Sequence, residues 1–522
     1  MKNSVIIKIM GQQGKLILLF LFILLFSTNT TAQEDELVII DNTDKTYRER
    51  KVRERDAFTD MKIEYKGDIR VSDDDKSIIS ISSGGYLKIY KKTFGNKRGI
   101  EIKSSNGKLN FEYYSGNKKL PFEPEGSEWL AEILPEVIRK TGIDAERRTK
   151  RIYQKGGINA VLEEIHNISY DNVKNKYYQP LLDVKGLSST DYTEIAKSID
   201  RELSYDSSKR KLLNKLSDKF LKSDESSQAF FHVIENMSYD SEKNKILNEL
   251  EICKLTNAQK SGYFKAVESM SYDSEKAKAL IPYNSNFHNS KTLSVQYFTI
   301  LKKMSYDSYR AKVLNNLLDK QILNSGDFTL AIVSLKSFSY DSEMKKVLLN
   351  INNKFSDYKN ISPAYFSVFE NMSYDSYQKE ILNDLLNKNK LDDVQMIKLF
   401  KVLTKFSYDS YIREVLLVAI PKMSLNNNVV DAFFATVKSM SYDSEMEKVI
   451  TELLDKPNLT DYAISAILKS VSLLSYDSNK VRILKTVKKY VNGKPALESQ
   501  FKIAVKEIRS DSEYRNLMDD ID

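Results

Sequence analysis

The chain has 522 residues, enough for two or three domains, with 80 Lys+Arg against 72 Asp+Glu, three His and one Cys. A single cysteine excludes an intramolecular disulfide. The formal charge of +8 is spread among interspersed acids and bases, which excludes the clustered basic stripe of a nucleic-acid footprint.

In chain order, Lys2, Lys8 and Lys15 precede an apolar run from Leu16 to Phe26 and a small, polar exit ending at Gln33. This is the pattern of a secretory signal peptide over residues 1–33, and the run is shorter than the roughly 20 residues a spanning helix needs. It predicts an exported protein, periplasmic or extracellular at the cell surface, that touches a membrane only through this segment if the segment is retained. Residues 34–60, including Arg48 to Arg55, read as a polar lead-in. Residues 61–125 alternate apolar and polar side chains between Gly, Asn and Asp turns, which predicts a small antiparallel β domain of about six strands. Residues 126–155 form a helical bridge in which Ser127 is the expected N-cap, Pro135 interrupts the helix and Trp129 plugs the junction of sheet and array.

From residue 156 to 522 one triplet dominates. Ser-Tyr-Asp recurs at Tyr170-Asp171, Tyr205-Asp206, Tyr239-Asp240, Tyr272-Asp273, Tyr306-Asp307, Tyr340-Asp341, Tyr374-Asp375, Tyr408-Asp409, Tyr442-Asp443 and Tyr476-Asp477, with a worn copy at Ser510-Asp511. Eight of the ten intervals are 34 residues, the spacing of a supersecondary repeat. Apolar residues lie nine, five and two positions before the tyrosine (Phe230, Ile234, Met237), and an apolar pair lies seven and eight after it (Ile246-Leu247). Each unit is therefore expected to be helix, tight turn, helix. Pro180, Pro282, Pro363, Pro421, Pro457 and Pro495 should all fall in the connections between units. The fold class is α+β and multidomain: a small antiparallel β domain, then an all-α solenoid of about eleven helix-turn-helix repeats.

The recurring Asp is expected to cap the second helix of its own unit. Neighbouring units, held about 8–10 Å apart, would space these carboxylates too widely for a metal. Glu242–Lys245, Glu275–Lys278, Glu343–Lys346 and Glu445–Lys448 are i,i+3 surface pairs. The tyrosines are expected to pack against the adjacent unit, the alternative being an aromatic stripe for an extended glycan or peptide. Cys253 reads as a buried filler. His166, His232 and His288 lie in repeat surroundings, and no hydrolase, metalloprotease or phosphate-loop motif appears, so no catalytic, metal or cofactor residue is assigned.

The Ser-x-Asp-x-Glu-Lys pattern before an apolar pair resembles a family of exported bacterial α-solenoid proteins. So do the segments Trp129 to Pro135 and Gly156 to Leu162. The unit shares the length of the tetratricopeptide repeat without its consensus landmarks. The resemblance implies architecture and carries no activity. The expected function is a non-catalytic protein–protein interaction scaffold. Polysaccharide binding, or a spacer that presents the β domain, are the alternatives, and nucleic acid is not an expected partner. Protected tyrosines would favour the scaffold, and exposed, coplanar rows the glycan.

Overall fold

The computed structural model describes residues 49–287, 290–358 and 360–521. The expected signal peptide, the start of the lead-in and His288 lie outside them. The chain divides into two compact units, Met1–Asp191 with Ser198–Leu212, and Tyr192–Lys197 with Leu213–Asp522.

The first unit contains the β region. Strands β1 (Glu49–Arg55), β2 (Thr59–Lys66), β5 (Tyr86–Thr93), β6 (Asn96–Ser105), β7 (Lys108–Ser115) and β8 (Lys118–Leu120) form one antiparallel sheet in the order β1-β2-β5-β6-β7-β8. Strands β3 (Ile69–Val71) and β4 (Ile78–Ile81) pair separately. The Asn106-Gly107 turn joins β6 to β7 with φ of 51° and 77°, the left-handed pair that a two-residue hairpin requires. Ile63, Leu87, Ile89, Ile100 and Ile102 alternate onto the dry face. There they meet Trp129, Leu130, Ile133, Leu134, Val137 and Ile138 of the helix Glu125–Thr141. Burying such side chains contributes about 1.5–3 kcal/mol each.

Three expectations are corrected here. Residues 49–55 of the supposed lead-in form β1, an edge strand. Its charges face water on both sides, which hides the two-residue period and also protects the edge from further pairing. Ser127 lies inside its helix and donates its hydroxyl to the Pro124 carbonyl at 2.8 Å. The helix also runs through Pro135: packing of Leu130, Leu134 and Ile138 outweighs the one hydrogen bond that proline removes. Trp129 does bury itself, 6.2 Å from Tyr113 of the sheet.

The rest is helical repeats. In the second unit the helices before each turn pack on one another, Asp224–Asn236 on Asn257–Glu268 for example. Those after each turn do the same, as Asp307–Lys320 on Asp341–Asn352. Two layers result, with the expected residues inside: Phe230, Ile234 and Met237 of the first layer and Ile246, Leu247, Val313 and Leu314 of the second are buried. Pro363 and Pro495 open helices. Pro180 and Pro282 instead lie in the last turns of helices Asp171–Leu182 and Asp273–Asn284. There the chain is already leaving the helix and little follows the lost hydrogen bond. Cys253 is exposed in a short 3-10 turn because its neighbour Ile252 takes the inward position.

Candidate functional site: the Ser-Tyr-Asp turns

Each turn is built from three residues with separate tasks. The tyrosine is the N-cap of the second helix, in extended conformation: φ/ψ is −100°/113° at Tyr306 and −102°/114° at Tyr442. Its carbonyl accepts the first helical bond, and no side chain caps the helix. The aspartate is the first helical residue, where its charge faces the positive end of the helix dipole.

That aspartate does not cap its own helix. Its Oδ2 reaches the next turn and accepts two backbone N–H groups there, one from the serine and one from the tyrosine. Asp240 takes Ser271 and Tyr272 at 2.7 and 2.8 Å, and Asp307 takes Ser339 and Tyr340 at 2.6 and 2.9 Å. The same geometry recurs from Asp273, Asp341, Asp375, Asp409 and Asp443. In the first unit it recurs from Asp171 to Ser204 and Tyr205. The worn last copy keeps it: Asp477 holds Arg509 and Ser510 by their backbone, which explains why the tyrosine there could change. Burial alone would raise the Asp477 carboxyl; the bonds from Ser510, Lys480 and Arg509 outweigh it and hold the pKa below the ordinary value. The capping expectation is thus replaced by a staple between repeats. Side-chain caps belong instead to the helices before the turns, at Ser188, Ser223, Thr256, Asn324, Asp392, Asn426 and Thr460.

A second tie escaped the sequence reading. Four residues after the tyrosine stand buried cations, Lys174, Lys209, Lys243, Lys276, Arg310 and Lys480. Lys243 Nζ donates to the carbonyls of Glu235 and Ser269 at 3.1 and 3.2 Å. Arg310 donates to those of Lys302 and Ser337 at 3.1 and 2.7 Å. These two cations each bind the exposed carbonyl ends of two helices, that of their own repeat and that of the next. Lys174, Lys209 and Lys480 each reach one such carbonyl, at Glu202, Asp200 and Glu507. In the other repeats the position holds Met344, Gln378, Ile412 or Met446, all buried, and Gln378 donates to the Met372 carbonyl at 3.1 Å. Recurrence at this offset was the available signal.

The tyrosine side chains contradict the packing expectation. Tyr205, Tyr239, Tyr272, Tyr306, Tyr340, Tyr374, Tyr408, Tyr442 and Tyr476 are 60–69% exposed, and only Tyr170 is half-buried. The staple needs the tyrosine's N–H and not its ring, so the ring is left to water. Packing roles fall to other tyrosines. Tyr263, Tyr297 and Tyr365 are fully buried, and burial pushes their hydroxyls well above the ordinary range. Tyr297 and Tyr365 each donate to a buried asparagine, Asn284 and Asn352, at 2.7 and 2.6 Å. These asparagines in turn donate to the carbonyls of Val313 and Ile381, both at 3.0 Å.

The i,i+3 pairs form as expected, at 2.5, 2.6, 2.6 and 3.2 Å for Lys245–Glu242, Lys278–Glu275, Lys346–Glu343 and Lys448–Glu445. His166 lies 3.0 Å from Glu202, and His232 is exposed on its helix. Among the described residues no cluster of His, Cys, Asp and Glu could hold a metal ion, and no helix is long and apolar enough to cross a membrane. A cleft of about 510 Å³ in the first unit is lined by Asp68, Asp144, Arg147, Lys150, Lys176 and Asp183. Its charges are internally engaged: Arg147 holds Asp68 at 2.7 Å, and Lys176 donates to the Thr141 carbonyl at 2.6 Å. Neither a family model nor a curated protein matches the chain.

Proposed function

We propose that this chain is an exported, non-catalytic binding scaffold, a member of the family of bacterial α-solenoid proteins that its repeats resemble. In this reading the helical array holds a macromolecular ligand. The observation that carries it is the pairing of a backbone-locked turn with an exposed tyrosine. Large rings on well-fixed backbone bind with little loss of side-chain entropy, and tyrosine is enriched where proteins meet partners. The preference for a protein partner over a glycan rested on packed tyrosines. Their exposure removes that premise and favours a ligand that lies across an aromatic row.

The test is affinity capture from the native cell envelope with the full chain and with a variant carrying Tyr306→Ala, Tyr340→Ala and Tyr374→Ala. Capture of one discrete ligand, lost in the variant, supports the scaffold. Equal capture by both would move recognition away from the turns, as the spacer reading requires.

A further inference from the structure

Eight of the exposed tyrosines, Tyr239, Tyr272, Tyr306, Tyr340, Tyr374, Tyr408, Tyr442 and Tyr476, belong to the second unit. Each of these turns from Asp240 onward is hydrogen-bonded to the next through the aspartate, so the turns follow one another without a break. The tyrosines therefore stand in one row along one edge of the layers. Each ring has an exposed serine just before it in the chain: Ser238, Ser271, Ser305, Ser339, Ser373, Ser407, Ser441 and Ser475. The row alternates a flat apolar face with a neutral hydroxyl. Three repeats add a second ring three residues on, Tyr309, Tyr377 and Tyr411, at 6.4, 6.0 and 5.5 Å from the first.

The charge pattern narrows the ligand. The aspartates of the turns are taken up by backbone N–H groups, and the glutamates that follow are paired with lysines within their own helices. At the ends of the preceding helices Lys303 pairs with Glu268 and Lys405 with Glu370 at 3.6 Å, whereas Lys302, Lys336 and Lys438 are exposed single cations among the described residues. With the acids paired and single lysines left only at scattered positions, the row presents rings and hydroxyls rather than a continuous stripe of one sign, as a charged polymer would need. Proline-rich peptides dock in grooves between aromatic side chains, whereas these rings protrude. A ligand that repeats along its length, carries no charge and offers both C–H faces and hydroxyls complements such a row.

We propose that the row from Tyr239 to Tyr476 binds an uncharged linear polysaccharide laid along the turns, its rings stacking on the tyrosines and its hydroxyls meeting the serines. This rests on the scaffold reading and names its ligand class. Contacts of one repeat are weak, and linkage along the polymer makes binding depend on chain length.

Affinity electrophoresis of the full chain tests this, in gels containing hydroxyethyl cellulose, mixed-linkage β-glucan, glucomannan or α-glucan, with alginate as the charged control. Retardation by at least one uncharged polymer and not by alginate is expected. It should weaken by roughly tenfold or more in a Tyr306→Ala/Tyr340→Ala/Tyr374→Ala/Tyr408→Ala variant, because half of the linked contacts are lost. The Phe variant at the same four positions should keep it, and circular dichroism checks that both remain folded. No retardation by any uncharged polymer, or equal retardation of the Ala variant, overturns the proposal. If those gels fail while a protein is captured from the envelope in a tyrosine-dependent way, the polysaccharide falls and the scaffold stands. If that capture is tyrosine-independent as well, both fall.

Discussion

Repeats around Lys243 and Arg310 differ from those around Met344, Ile412 and Met446 at one buried position, and the difference separates what the fold requires from what it tolerates. In the first group a cation binds the carbonyl ends of two helices. In the second an apolar side chain fills the same place. The aspartate staple is present in both, at 2.6 and 2.9 Å from Asp307 and at 2.7 and 2.6 Å from Asp409. The reason is chemical. Two adjacent N–H groups at an extended turn have no helical acceptor, and only a carboxylate from the neighbouring repeat reaches both. Helix-end carbonyls have a second recourse in tighter local bonds, such as Met440 N–H to the Val437 carbonyl at 3.1 Å.

The largest break in this comparison is expected from the aspartates. Asp307→Ala strands two N–H groups and also deprives Arg310 of a carboxylate 3.1 Å away. The cost is about 3 kcal/mol, against about 2 kcal/mol for Asp409→Ala, whose repeat has no buried cation. Urea denaturation followed by circular dichroism compares them, and equal effects would mean that Arg310 does not depend on Asp307.

A smaller effect is expected at the variable position. Lys243→Met imitates Met344 and leaves neutral carbonyls without one donor, at a cost of about 1 kcal/mol. A loss as large as that of Asp240→Ala in the same denaturation series would show the cation to be as necessary as the staple.

Acid should weaken the ion-paired positions. Burial would raise the Glu202 carboxyl, but bonds from Arg201, His166 and Lys174 bring its pKa down to about 2. A pKa depressed below the unfolded value stabilises the fold above the unfolded carboxyl range, near 4. That stability is lost as pH falls from there toward about 2. Asp477 acts in the same direction. The Tm should drop between pH 4.5 and 2.5, with a shallower slope in Glu202→Gln, read by thermal unfolding at a series of pH values. An unchanged slope would remove Glu202 from the account.

The smallest effect belongs to the tyrosines of the turns. Tyr340→Ala and Tyr408→Ala should change stability by no more than about 0.5 kcal/mol, since surface rings contribute little to folding. A larger loss by denaturation would restore a packing role.

Much of this architecture was legible in the sequence because it is periodic. Phe230, Ile234 and Met237 recur at helical spacing, and the pair Ile246-Leu247 marks the second layer, so helix order and buried faces follow from counting. The strands from β2 to β7 were legible from their alternation, whereas the three residues of β8, Lys118–Leu120, are too few to show a period. β1 was not, because Arg50, Lys51, Arg53 and Arg55 leave no apolar period to read. The direction of the aspartates was hidden for a different reason. Position alone cannot tell an acceptor turned toward its own helix from one turned toward the next repeat, since both put Asp at a helix start. The tyrosines follow from that choice: once the staple uses their N–H groups, the rings are free to face water.

Amide hydrogen exchange on Asp409→Ala tests the staple most directly, because that repeat has Ile412 in place of a cation. If Asp409 serves the next repeat, peptides covering Ser441 and Tyr442 lose protection while those covering Tyr411 and Ile412 keep it. Loss of protection at Tyr411 and Ile412, with Ser441 and Tyr442 unchanged, would mean that the aspartate caps its own helix and would contradict the account.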